Sequence, residues 1–346
     1  MANPHWPNAT PQHRGARHPA GQDGPQWQQP AHAAGWQHQG AWHRQPEPPK
    51  AVREKKILGI LLGVCLAALA GFVAVLLFVD REPGYDYDDY EAPPVSDTAP
   101  DQLVVAKSEE EAWQILRDNP SYAGVLPDSV NCKITAIEHN GMSPEEIEAR
   151  LNDLTACLMK VWDRPMTEQG ITMFRPSVTV YTADITTGCG TTPGDAPNAF
   201  YCSADQMLYY NFILHTHPRT KSVGDTPWGI EAVMAHEFAH FLQGRTGIMG
   251  AFALVLGSDA NSEPALNASR RSELQADCWA GMWTRANQRA AGVDEAGHLG
   301  LAAIFGALGG DTHGSAEHRS GWYLKGTHST SIGTCNTWVV PDDEVS

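Results

Sequence analysis

Along this chain one apolar run stands apart, Ile57 to Val79 (ILGILLGVCLAALAGFVAVLLFV), with no charged residue in it. At 1.5 Å per residue a helix of this run covers a hydrocarbon core of about 30 Å, so the pattern predicts a single transmembrane helix. A cleaved signal peptide has a shorter apolar region and a small-x-small site after it, and neither holds here. Ahead of the run, residues 1–50 are rich in Pro, Gln, His, Ala, Gly and Trp without apolar periodicity, which predicts a disordered tail through residue 56. Behind it, residues 80–101 crowd Asp, Glu, Tyr and Pro together (Tyr85 to Tyr90, Pro93, Pro94) and read as an extended, self-repelling linker. The folded domain is expected over 102–346.

Within that domain the periodicity is mostly helical. Ser108-Glu109-Glu110-Glu111 is a capping box that opens a helix toward Leu116, and Asn119-Pro120 closes it. Ser143-Pro144-Glu145-Glu146 opens another, whose Ile147, Leu151, Leu154, Leu158 and Val161 form one apolar stripe. Ser177 to Thr182 alternates β-branched and aromatic residues and predicts a strand; Phe200 to Cys202 and Met207 to Phe212 predict further extended segments, with Gly188 to Gly194 as loop between them. Asp225 to Trp228 is read as the cap of an amphipathic central helix that ends at Gly244. Gly247 to Gly257 predicts a short apolar helix, Arg270 to Gly281 a further one, and Gly310 to Trp322 a loop followed by helix. The fold class is α+β, mostly helical with a small sheet, behind one membrane span.

Charge sharpens the topology. Residues 1–56 hold 7 Lys and Arg against 3 Asp and Glu; residues 80–346 hold 17 against 37, a net of −20. Arg53, Lys55 and Lys56 flank the apolar run on one side and Asp80, Glu82 and Asp86 on the other, which places the N-terminus in the cytoplasm and the large domain outside, as a single-pass protein of the cell membrane. A domain so acidic has no basic surface for a nucleic-acid backbone, so nucleic acid is excluded as a partner. Six of the 7 Cys lie beyond the span, where disulfides persist. Proximity favours Cys189 with Cys202 and Cys132 with Cys157, leaving Cys278 with Cys335. Gly59 and Gly63 have the spacing of a helix-pairing motif.

The chemistry centres on His236-Glu237-Phe238-Ala239-His240. Two His four apart share a helical face on which neutral imidazoles can hold one zinc ion, and the Glu after the first reaches a metal-bound water as general base. A catalytic site needs a third ligand and an open fourth position. Glu263, Glu273, Asp277, His298 and His313 are candidates; Glu273 is preferred because Asp277 stands four residues on, and two acids so spaced repel unless a His or cation faces them. Asp277 would then accept the free N–H of a ligand His. His313, His318, Tyr323 and His328 are candidates for oxyanion stabilisation, His313 first. Two other classes compete: a zinc-binding anchored scaffold without turnover, and a disulfide-bonded envelope-binding domain in which the motif is accidental.

His236 to His240, Arg271-Ser-Glu-Leu-Gln-Ala-Asp-Cys278-Trp-Ala-Gly281, the block from His313 to Arg319 and Trp322, and the Cys189 to Cys202 loop together resemble the neutral zinc metallopeptidase family of bacteria, over roughly residues 102–338. More distantly, Glu-x-x-Ala-Asp (Glu273 to Asp277) after His-Glu-x-x-His resembles the gluzincin pattern. The resemblance implies a zincin-like fold, one Zn2+ per chain bound by His236, His240 and Glu273 with Asp277 in support, Glu237 as catalytic base, and a peptide or protein as substrate.

Overall fold

The computed structural model describes residues 87–346. Among these no helix is long and apolar enough to cross a membrane; the 57–79 run and the 1–56 tail lie outside them. The described residues belong to one compact unit, Arg81–Ser346.

Two capped helices come first: α1 (Glu109–Arg117), where Ser108 Oγ accepts from Glu111 N–H, and α2 (Pro144–Thr167), whose Ser143 and Glu146 exchange both bonds of a capping box. The five stripe residues of α2 are all buried, as is Trp162 near its end. A mixed sheet follows in the order β1 (Val178–Tyr181), β5 (Met207–Asn211), β4 (Ala199–Cys202), with β1 parallel and β4 antiparallel to β5. The segment read as loop, 188–194, instead contributes β3 (Gly190–Thr192), which pairs with β2 (Ile185–Thr187) just ahead of it in a polar two-stranded ribbon where Thr186 faces Thr191. Threonine is at home on a solvated ribbon, and the glycines gave a loop signal that masked it.

After a single turn α3 (Ser222–Asp225), helix α4 (Gly229–Arg245) carries the His-Glu-x-x-His motif. Its start differs from the expected cap. Asp225 belongs to α3, and the residue before α4 is Trp228 in left-handed conformation (φ 67°), with its indole N–H donating to the Ala291 carbonyl at 3.2 Å. Nor is α4 amphipathic: every one of its 17 residues is buried, so it runs through the centre of the domain rather than along its surface. The helix stops at Gly247 (φ 80°), while Gly244, read as the stop, lets the helix approach Tyr201, whose hydroxyl would lie 2.4 Å from a Cβ there.

Helix α5 (Ile248–Leu256) precedes the long α6 (Glu263–Ala291), then α7 (Glu295–Ala307), which the apolar pattern did not single out, and α8 (Ala316–Thr327). Helices α6 and α8 touch backbone to backbone: a Cβ on Gly326 would meet the Cys278 carbonyl at 1.9 Å, and one on Gly281 the Tyr323 carbonyl at 2.1 Å. The disulfides are Cys132–Cys157, Cys189–Cys202 and Cys278–Cys335, the pairing expected from proximity. The first ties the chain ahead of α2 to that helix, the second the ribbon to β4, and the third α6 to the C-terminal segment.

After a 3-10 turn at Tyr87–Asp89, residues 90–101 have no regular helix or strand, and the segment lies along the domain rather than free of it. Tyr90 donates to Asp163 at 2.6 Å, Ser96 bridges to Pro176, and Asp101 pairs with buried Arg245 at 2.5 Å. The acids that repel one another in the sequence meet cations from distant parts of the chain, Lys160 and Arg245 among them.

Candidate metal centre

Three side chains from two helices converge on one point. From α4 come Nε2 of His236 and Nε2 of His240, 3.1 Å apart; from α6 comes Oε2 of Glu273, 3.2 Å from the first and 3.4 Å from the second. Oε2 of Glu273 is buried and accepts no hydrogen bond. Two ring nitrogens and a carboxylate oxygen brought this close repel when all three present lone pairs, and a buried acceptor without a partner is costly; a cation bound by all three relieves both. Zinc bound to N and O at about 2.0–2.1 Å in a tetrahedron sets its ligand atoms about 3.3–3.4 Å apart, close to the three separations here. The donor set and its spacing therefore fit zinc. Among the described residues, these three form the one group of His, Cys, Asp and Glu side chains with this convergence.

Each imidazole is oriented differently. Nδ1 of His236 lies 2.8 Å from Oδ1 of Asp277, an ion-pair contact off the N–H axis. Asp277 is fully buried and gripped by Arg319 of α8 through two bonds, 2.7 Å from Nη2 and 2.8 Å from Nε, while Nη1 of Arg319 donates to the Leu308 carbonyl. Nδ1 of His240 meets Oε1 of Gln243 at 2.8 Å; the Gln243 amide donates to the Ser272 carbonyl and to Gln275, and the Ser272 hydroxyl donates back to Gln243.

Beside the ligands, Oε2 of Glu237 accepts the Tyr201 backbone N–H of β4 at 3.0 Å. His313, on the Gly310–Gly314 loop ahead of α8, brings Nε2 to 3.5 Å from Glu273 Oε2, and its Nδ1 lies 2.9 Å from the Thr312 hydroxyl. Two cavities, of about 270 and 160 Å3, meet here and share Asn198, Ala199, His236, Glu237 and His313 in their walls, so the fourth side of the triad is open.

Residues 129–338 match the family described as "Putative neutral zinc metallopeptidase". The chain belongs to this family. It is 30% identical to the uncharacterized protein YpfJ of Escherichia coli (strain K12) over 57% of this chain and 74% of that protein. To the uncharacterized protein Rv2575 of Mycobacterium tuberculosis it is 29% identical, over 49% of this chain and 64% of that protein. No solved structure matches the chain. Membership supports a zinc-dependent peptidase in outline, and the zinc metallopeptidase family implies the metal that the triad fits.

The remaining sequence candidates for this metallopeptidase centre lie elsewhere. Glu263 pairs with Arg270 at 2.8 Å, and His298 meets Gln288 at 2.9 Å on the far part of α6. His318 faces Ser315, His328 the Leu324 carbonyl, and Tyr323 is buried against Phe305. Sequence reasoning assigned no role to Arg319 or Gln243. The latter stands three residues after His240 on the same helical face, a spacing that could have drawn attention to it.

The electrostatics follow from burial and pairing. Burial opposes charge on His236, but Asp277 and Glu273 outweigh it and push the metal-free imidazole up to about 10. Burial raises Glu237 above the usual carboxylate range, opposed by the two imidazoles. It would raise Asp277 as well, but the Arg319 charge and hydrogen bonds hold that carboxyl below its ordinary value. His313 is lowered, chiefly by burial.

Proposed function

We propose that this chain is a membrane-anchored zinc peptidase that hydrolyses peptide bonds outside the cytoplasm, with His236, His240 and Glu273 as zinc ligands. The observation that carries the reading is the convergence of two Nε2 atoms with the orphan Oε2 of Glu273, next to Glu237 and open to a cleft. Anchorage and the outer location rest on the 57–79 run, its flanking charges and the disulfides of the domain.

Zinc held by His236, His240 and Glu273 would supply a Lewis acid able to activate a water near neutral pH. Glu237, one oxygen held by the Tyr201 amide, takes the proton of the attacking water on the other and returns it to the leaving nitrogen as the C–N bond breaks. Asp277, fixed by Arg319, keeps the His236 ring turned toward the metal, and Gln243 does the same for His240. His313, its pKa lowered chiefly by burial and with Nδ1 against the Thr312 hydroxyl, offers its Nε2–H to the developing oxyanion. The substrate enters extended along β4, the edge strand whose outward positions are Ala199 and Tyr201; with the Tyr201 N–H engaged, Ala199 keeps both backbone groups for an added strand.

Glu237→Gln tests the reading. The variant is expected to retain one zinc per chain by elemental analysis and to lose cleavage by at least about a hundredfold. Stoichiometric zinc in the unmodified chain with no cleavage across a broad peptide library would instead establish the anchored scaffold, and absence of stoichiometric zinc would sink both.

A further inference from the structure

Beyond the shared wall at the metal centre the two cavities part, and they differ in kind. The larger runs past Met249, Phe252 and Ser272 along β4. The smaller, of about 160 Å3, is closed by Leu214, Val233 and Phe305, each at most 6% exposed, with half-buried Leu308 at its side. Beyond the wall shared with the larger cavity, its two polar side chains, Thr220 and Arg319, are already partnered. The Thr220 hydroxyl donates to the Leu214 carbonyl at 2.7 Å, and the Arg319 guanidinium is tied to Asp277 and to the Leu308 carbonyl, its charge balanced by the former. An inner end lined by apolar side chains, with its polar side chains already satisfied, favours an apolar occupant and penalises a charged one. The volume sets the size: an apolar cavity of about 150 Å3 holds one benzene ring. Because Glu237 and His236 form its mouth, whatever fills it is attached next to the atoms that react.

We propose that this cavity is the specificity pocket of the enzyme and that it selects peptides with a Leu-, Met- or Phe-sized apolar side chain at one of the two residues flanking the scissile bond. The inference rests on the peptidase reading and adds the substrate class to it. Gly or Ala leaves the pocket unfilled, Trp overfills it, and Glu or Asp meets a guanidinium already neutralised.

Binding of peptide hydroxamates to the zinc-loaded chain tests the pocket without turnover. Two series carry methyl, isobutyl, benzyl, indolylmethyl or carboxyethyl side chains, one series on each side of the chelating group. In one series isobutyl and benzyl are expected to bind at least about thirtyfold tighter than methyl, from about three buried carbons, and about tenfold tighter than indolylmethyl. Leu308→Trp, which fills the cavity from its half-buried side, is expected to reverse the order in favour of methyl. Affinities within about threefold of one another in both series of the unmodified chain overturn the proposal whatever the variant does. The two readings separate cleanly: a steep preference with no peptide cleaved supports the pocket and sinks turnover, and cleavage with flat affinities does the reverse.

Discussion

His236 and His240 sit one turn apart on the same helix, converge on the same point and have comparable burial, yet they are held by opposite devices. His236 leans on a fully buried ion pair, Asp277 with Arg319, that reaches through α6 to α8. His240 leans on a neutral carboxamide three residues along its own helix, itself tied to Ser272 and Gln275 of α6. The difference teaches how α4 and α6 are locked together. One link is strong but depends on charge balance, since a buried carboxylate is tolerated only while its cation is present. The other is made of ordinary hydrogen bonds, each worth about 1 kcal/mol net, and tolerates the loss of any one of them.

The largest break in this comparison should come from the cation. Arg319→Met takes from buried Asp277 both hydrogen bonds of its guanidinium and leaves it only the His236 ring, and the expected cost is about 3–5 kcal/mol, read as a shift in the denaturant midpoint of the metal-free chain. Asp277→Asn keeps the shape but removes the charge. It is expected to lower zinc affinity about 10–100-fold in competition with a chelator. Gln243→Ala should fall at or below the bottom of that range and cost about 1–2 kcal/mol of stability, because it removes a neutral network only. If Gln243→Ala proved as damaging as Arg319→Met, the contrast between the two imidazoles would collapse.

How much of this was visible in the sequence depended on distance along the chain. The metal-binding turn was legible because both His and the Glu lie within five residues of one helix. Glu273 and Asp277 were legible because their i, i+4 repulsion demands an opposite partner, and in the structure His236 and Arg319 face them. Arg319 itself, 42 residues beyond Asp277, had no local signal: its burial is decided by the close glycine crossing of α6 and α8. The acidic strap at 87–101 misled for the same reason, since its cations are Lys160 and Arg245, far along the chain. The central helix was placed but its character was not, because total burial abolishes the one-sided pattern from which amphipathicity is read.

The smallest effect sharpens the comparison most, because it counts protons. Zinc binds a neutral imidazole, but in the metal-free chain Asp277 and Glu273 hold the His236 ring up to about 10, so at pH 7 it carries a proton that the metal must displace. The sign follows: below about 10, zinc affinity rises with pH, and calorimetry in buffers of different ionisation enthalpy should report at least one proton released per zinc bound. Removing the Asp277 charge removes a leading support of that proton, so Asp277→Asn should release fewer. Gln243→Ala should release as many as the unmodified chain, since Gln243 contributes nothing to the charge on His236. Equal proton counts for the two variants would mean that the ion pair only orients His236 and does not set its charge.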